Sequence, residues 1–168
     1  ILIGLSITII LIIGYLAAMS LLRQQKIVIN SVGDGDIIST NVVETPDYVT
    51  LLPGEKTIND LGGWQRVSPA KTNPVFAYAD KINGTPISVS QQPIPKDFKP
   101  DVDVQVADLA KDYDANQIIT AGKLTIYVGT SHKGPQSVIF TKDNLLILIK
   151  SQAKLSDKAW GKYAKSLH

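Results

Sequence analysis

The sequence predicts an α+β protein: an N-terminal transmembrane helix, then a curved antiparallel sheet of about six to seven strands with two helices packed on it. Three observations predict it. Residues 1–22 carry no charged side chain, and Arg23 is the first. Further on, short β-prone runs flank the turn signals Asn83-Gly84, Gly122 and Asp143-Asn144. Two stretches, Asp101–Asp114 and Ser156–Leu167, repeat apolar residues with the period of an α-helix.

The first element is "ILIGLSITIILIIGYLAAMSLL", whose polar side chains besides Tyr15 are Ser6, Thr8 and Ser20. A helix of this length spans about 33 Å, against about 30 Å for the hydrocarbon core of a bilayer. Residues 1–22 are therefore read as a membrane anchor, with the lipid bilayer as its partner. A cleaved signal peptide normally has a shorter apolar region of about 7–15 residues. A pilin-type stem also begins on an apolar helix, but pilins usually carry glutamate at the fifth position and this chain has Leu5. The abrupt start at Ile1 is read as the loss of a short cytoplasmic leader. Arg23 and Lys26 follow the helix, yet long domains translocate regardless of such charges. The expectation is one pass through the cytoplasmic membrane, with the C-terminal domain outside the cytoplasm.

Residues 23–46 read as a linker. Gly33 and Gly35 stop the helix, and Pro46 punctuates the join. "GDGDIISTNVVE" lacks most of the oxygen ligands of a calcium loop and reads as a solvated turn.

The domain spans 47–168. A turn at Gly62-Gly63 precedes a short strand around Trp64–Val67. The runs Val75–Ala79 and Ile87–Gln91 flank Asn83-Gly84, which supplies the positive φ angles of a tight hairpin. Asn83-Gly84-Thr85 also matches a glycosylation acceptor, but the turn explains it. Pro100 and Asp101 start the first helix. On it Val102, Val106, Leu109 and Tyr113 fall within about 60° of one another and should face the sheet. Asp101, Gln105, Asp108 and Asp112 form a second, solvated stripe.

Two hairpins follow, around Gly122 and around Asp143-Asn144. Pro135 has no N–H for a ladder and should mark a strand start. Leu145–Ile149 is apolar at every position, so both its faces must be covered and it belongs in the middle of the sheet. Ser156 is the N-cap of the closing helix. Trp160, Tyr163, Ala164 and Leu167 share one face of it; Lys158, Lys162 and Lys165 share the opposite face, within about 60°. Gly161 weakens the helix by roughly 1 kcal/mol relative to Ala, so packing of Trp160 must help hold it. Those three lysines are the candidate site, a contact for anionic headgroups or wall polymers.

Composition narrows the chemistry. Seventeen basic and fifteen acidic residues give net +2, too even to argue for nucleic acid. With no cysteine there is no disulfide, thiol catalysis, zinc-thiolate site or lipoprotein anchor. Two histidines rule out a His-rich metal site. His132 sits in "GTSHKGPQS" as an exposed turn residue, and His168 is expected to be mobile as the last residue. No catalytic residue, cofactor site or metal site is assigned.

The phrases "LGGW", "VFAYADKINGTPISVSQQP" and above all "TKDNLLILIKSQAKLSDKAWGKYAKSL" resemble a bacterial family of small single-pass membrane proteins with an extracytoplasmic domain of unknown function. The resemblance covers residues 47–167. More distantly the layout is similar to extracytoplasmic domains of anti-sigma-factor regulators and lipoprotein-carrier-like proteins, which implies a curved sheet with helices on one face. It also implies a binding, sensing or scaffold module of the cell envelope, with an envelope protein, a lipid or a wall polymer as partner. The alternatives are a pilin-like subunit of a surface filament and an envelope hydrolase.

Overall fold

Two residues, Asn83 and Gly84, reverse the chain with φ of 50° and 82°. They join β2 (Phe76–Ile82) to β3 (Thr85–Pro93), with Ile82 opposite Thr85. Asp143 and Asn144 do the same with φ of 48° and 66°, joining β6 (Gln136–Lys142) to β7 (Leu145–Ser151). Gly122 (φ 70°) opens the turn between β4 (Gln117–Ala121) and β5 (Leu124–Thr130). These are the tight turns whose twist suits antiparallel strands. With the two-residue strand β1 (Gln65–Arg66), they build one seven-stranded antiparallel sheet in the order β1-β2-β3-β7-β6-β5-β4. This fold is seen in a computed structural model that describes residues 44–168; the expected membrane helix and nearly all of the linker lie outside the described residues.

β7 lies at the middle of the sheet, between β3 and β6, as its unbroken apolar run requires. Its alternation feeds two separate cores. Leu145, Ile147 and Ile149 join one, with Phe140, Ile126 and Val89; Leu146 and Leu148 join the other, with Ile139. The second core is closed by a short 3-10 turn at Lys96–Phe98 and by helix α1 (Val102–Asp112). α1 directs Val102, Val106, Leu109 and the following Tyr113 at the sheet, as their spacing predicts. The Asp101 side chain accepts a bond from the Val104 N–H and caps it. The first core is closed by helix α2 (Asp157–Ser166), capped by Ser156, and by the segment leading in from Tyr48.

The helices therefore lie on opposite faces of the sheet, which corrects the one-faced arrangement that the distant resemblance implied. The cause is the crossover. α1 spans from β3 near the middle to β4 at the edge on one side of the sheet, while α2 returns from β7 on the other.

Two glycines permit close packing. A Cβ on Gly129 of β5 would stand 2.7 Å from the Tyr113 carbonyl oxygen, at the end of α1. One on Gly161 would stand 3.2 Å from the Ala121 Cβ. The helix-weakening glycine of α2 thus lets that helix settle onto the end of β4, and Trp160 beside it is 1% exposed.

Buried amides bind the incoming segment and α2 to the sheet. Gln91 of β3 is fully buried; its Oε1 accepts the Leu51 N–H at 2.9 Å and its Nε2 donates to the Leu51 carbonyl at 2.6 Å. Tyr48 Oη donates to the Gln91 carbonyl at 2.6 Å. Gln136 Oε1 accepts both the Leu155 N–H and the Trp160 indole N–H, at 2.7 Å and 3.0 Å. Leu52 and His168 exchange both backbone bonds at 3.0 Å, and the Gly54 N–H reaches the Ser166 carbonyl at 2.8 Å. His168, expected to be mobile, is held by its backbone in this antiparallel bridge. Among the described residues no buried side-chain polar atom lacks a partner, as a well-specified interior requires. No described helix is long and apolar enough to cross a membrane.

Candidate functional site

Lys158, Lys162 and Lys165 are all exposed on the outer face of α2. The pattern puts them there because Trp160, Gly161, Tyr163 and Ala164 take the buried face. Across residues 152–168 four exposed lysines, with Lys154, stand against one carboxylate, Asp157. That carboxylate is engaged, accepting two bonds from Gln117 Nε2 at 2.9 Å.

The other helix has the opposite sign. Asp97, Asp101, Asp103, Asp108, Asp112 and Asp114 are exposed around α1, against Lys96, Lys99 and Lys111. Asp108 and Lys111 pair at 2.7 Å. The two helices thus differ in sign, α2 basic and α1 acidic, while the segment that shares the α2 side adds exposed Asp47, Glu55 and Asp60 against Lys56. Among the described residues no group of three or more His, Asp or Glu gathers as a metal site. His132 lies exposed in the turn between β5 and β6.

Of the three predicted lysines, Lys165 has a second setting. It rims an open basin of about 650 Å³ at one end of the sheet. The Gly122-Lys123 and Asp143-Asn144 turns, the end of β6, Ile94 after β3 and the start of α1 line it. Ile94, Val102, Ala121 and Leu124 supply apolar lining; Lys123, Lys142, Lys165 and Asp143 supply charge. Lys158 and Lys162 lie outside it.

Lys142 is already engaged. Its ammonium donates to the Ala164 and Lys165 carbonyls at 3.3 Å each and to the Leu167 carbonyl. It thereby caps the negative end of α2, where a cation is favourable. Three ion pairs form among the described residues, and neither Lys123 nor Lys165 belongs to one.

The reading from sequence missed Lys123 and Lys142. Each sits beside a recognised turn, but only the sheet order brings those two turns to the helix end.

Other perturbed groups lie away from the basin. On the α1 face burial lowers the pKa of Lys150 to about 8, and its ammonium lies 5.4 Å from the centre of the Tyr113 ring. Tyr163 donates to Asp80 at 3.0 Å, and Lys56 meets the same carboxylate at 2.5 Å. Burial, then the neighbouring Tyr78 and Asp80, hold the Tyr163 hydroxyl far above its ordinary value. This cluster ties the incoming segment, the sheet and α2 together.

The fold defines a three-layer class, one helix on each face of an antiparallel sheet, the one basic and the other acidic. Protein-family models, curated proteins and solved structures give no match to the chain in any of the three comparisons.

Proposed function

We propose that this protein is a membrane-anchored module outside the cytoplasm that binds an anionic partner of the envelope, lipid or wall polymer, through the lysine face of α2. The observation that carries the reading is the lysine cluster itself, with Lys154, Lys158, Lys162 and Lys165 exposed together along α2 and the loop that precedes it. A clustered basic face attracts anionic surfaces, and the acidic layer around α1 orients the domain by repulsion. The 22-residue apolar segment supplies the tether. The spaces between sheet and helices are filled by side chains such as Trp160, Phe140, Ile147 and Val106. That filling favours a surface-binding scaffold over a carrier that encloses its ligand between sheet and helix.

The test is vesicle binding by a soluble fragment of residues 44–168. It should sediment with anionic vesicles at low salt and stay in solution with zwitterionic ones. Changing Lys158, Lys162 and Lys165 to Gln should weaken that binding by roughly a hundredfold, since each lysine near an anionic surface contributes about a factor of five. Equal binding by both forms would make the lysine face merely solvated.

A further inference from the structure

The basin at the end of the sheet has a chemistry distinct from the flat lysine face. We infer that it binds a single anionic amphiphile, with the anionic head between Lys123 and Lys165 and the apolar portion on Ile94, Val102 and Leu124.

Three observations carry this. The first is the lining: apolar side chains from two separate cores meet there, Ala121 and Leu124 from one and Ile94 and Val102 from the other, beside the charged groups. A mostly apolar concavity with few convergent polar groups is the usual form of a small-molecule site, and about 650 Å³ lies within the usual size range. The second is the state of the cations. Lys142 is consumed by the carbonyls at the end of α2, so its charge raises the local potential without being available as a ligand. Lys123 and Lys165 are exposed, and neither belongs to an ion pair among the described residues. Asp143 is the opposing charge on the rim, one carboxylate against three ammonium groups. It disfavours a polyanion more than a ligand bearing one head group.

The third is position. Glu44 pairs with Arg66 at 3.2 Å, and Tyr48 bonds to Gln91 and Phe76. In register, Arg66 pairs with Phe76, Phe76 with Gln91, and the next pair along β3 but one is Pro93 with Leu145. The chain therefore comes into the domain at the same end of the sheet that holds the basin. The expected tether would bring that end, and a site for an amphiphile, toward the bilayer. The basin does not depend on α2 docking to a surface, so the two readings fail separately.

Octyl phosphate is the probe, added to the full chain in zwitterionic nanodiscs and followed by methyl NMR. Saturable shifts are expected at Ile94, Val102 and Leu124, with Leu155 in the core unmoved. Inorganic phosphate, lacking the alkyl chain, and octanol, lacking the charge, should each bind at least roughly tenfold more weakly. The double variant Lys123→Gln/Lys165→Gln should lose about tenfold in affinity for octyl phosphate. Lys133→Gln, in the β5–β6 turn at the other end of the sheet, should keep it. All three lysines are exposed, so the variants test binding and leave the core intact. Shifts confined to other residues, octanol binding as well as octyl phosphate, inorganic phosphate matching it, or an unaffected double variant would each overturn the assignment.

Discussion

Gln91 carries the sharpest structural prediction. Its side-chain amide acts as a strand partner for Leu51, accepting from its N–H at 2.9 Å and donating to its carbonyl at 2.6 Å in a fully buried setting. Gln91→Leu keeps the volume, orphans the Leu51 N–H and leaves its carbonyl only the long 3.5 Å bond from the Tyr78 hydroxyl. A buried polar group left unsatisfied costs about 1–3 kcal/mol, and the added apolar contact returns part of it. The expected loss is about 2–4 kcal/mol, roughly 10 °C in melting temperature for a domain of this size. Hydrogen exchange locates the damage: the amides of Leu51, Leu52 and Gly54 should lose protection before those of β6 and β7. Gln91→Glu supplies a second signature. Its carboxylate would meet the Leu51 carbonyl oxygen, whereas its protonated form can donate to it, so burial and that bond raise the folded pKa above the unfolded value of about 4.3. A raised carboxyl pKa gives stability present below the unfolded value and lost as pH rises through the folded one. Gln91→Glu should therefore approach the parent at low pH and fall away from it toward pH 7. Unchanged Leu51 protection in Gln91→Leu, or a pH-independent deficit in Gln91→Glu, would refute the amide's role.

Other consequences follow from single contacts. Gly129→Ala drives a Cβ to 2.7 Å from the Tyr113 carbonyl, so the backbone must shift; a loss of about 1–3 kcal/mol in chemical denaturation is expected. Lys142→Met removes the cation from the end of α2 and should cost about 1–2 kcal/mol, with fraying visible as faster exchange at Ala164 to Leu167. For Lys150 the folded pKa of about 8 lies below the ordinary 10.5, so the unfolded chain binds more protons between those values. Its contribution to stability is present above about 10.5 and is lost as pH falls through about 8. The parent's melting temperature relative to Lys150→Met should accordingly rise from pH 7 to pH 9.5. A constant difference would contradict the burial of that ammonium. Above pH 10 the raised tyrosines, Tyr78 and Tyr163 among them, act in the opposite sense.

What could be read from the sequence was local. Asn83-Gly84 and Asp143-Asn144 set φ within two residues, and both turns form where the pattern puts them. Leu145–Ile149 announces its place because an unbroken apolar run needs two covered faces, and β7 feeds both cores. Ser156 and Asp101 cap the helices they precede. The buried amides were not legible. Gln91 and Gln136 look like ordinary polar strand residues, and their partners lie 40 and 19 to 24 residues away. The pairing of Leu52 with His168 joins segments more distant still. Which face each helix takes depends on the crossover from β3 to β4, to which periodicity is blind. The three lysines of α2 were legible because helical spacing defines a face. The basin was not, since Lys123, Lys142 and Lys165 converge only through the sheet order.

The most direct measurement of the proposed function uses the absence of cysteine from the chain. Lys162→Cys on the α2 side and Asp108→Cys on the α1 side each give one site for a spin label. The full chain is then reconstituted in bilayers with and without anionic lipid. Contact with a lipid-borne relaxation agent is expected for the label at residue 162 in anionic bilayers only, abolished by high salt, and absent for the label at residue 108. Equal contact at both positions, or contact at residue 108 alone, would contradict a lysine face that meets the anionic surface.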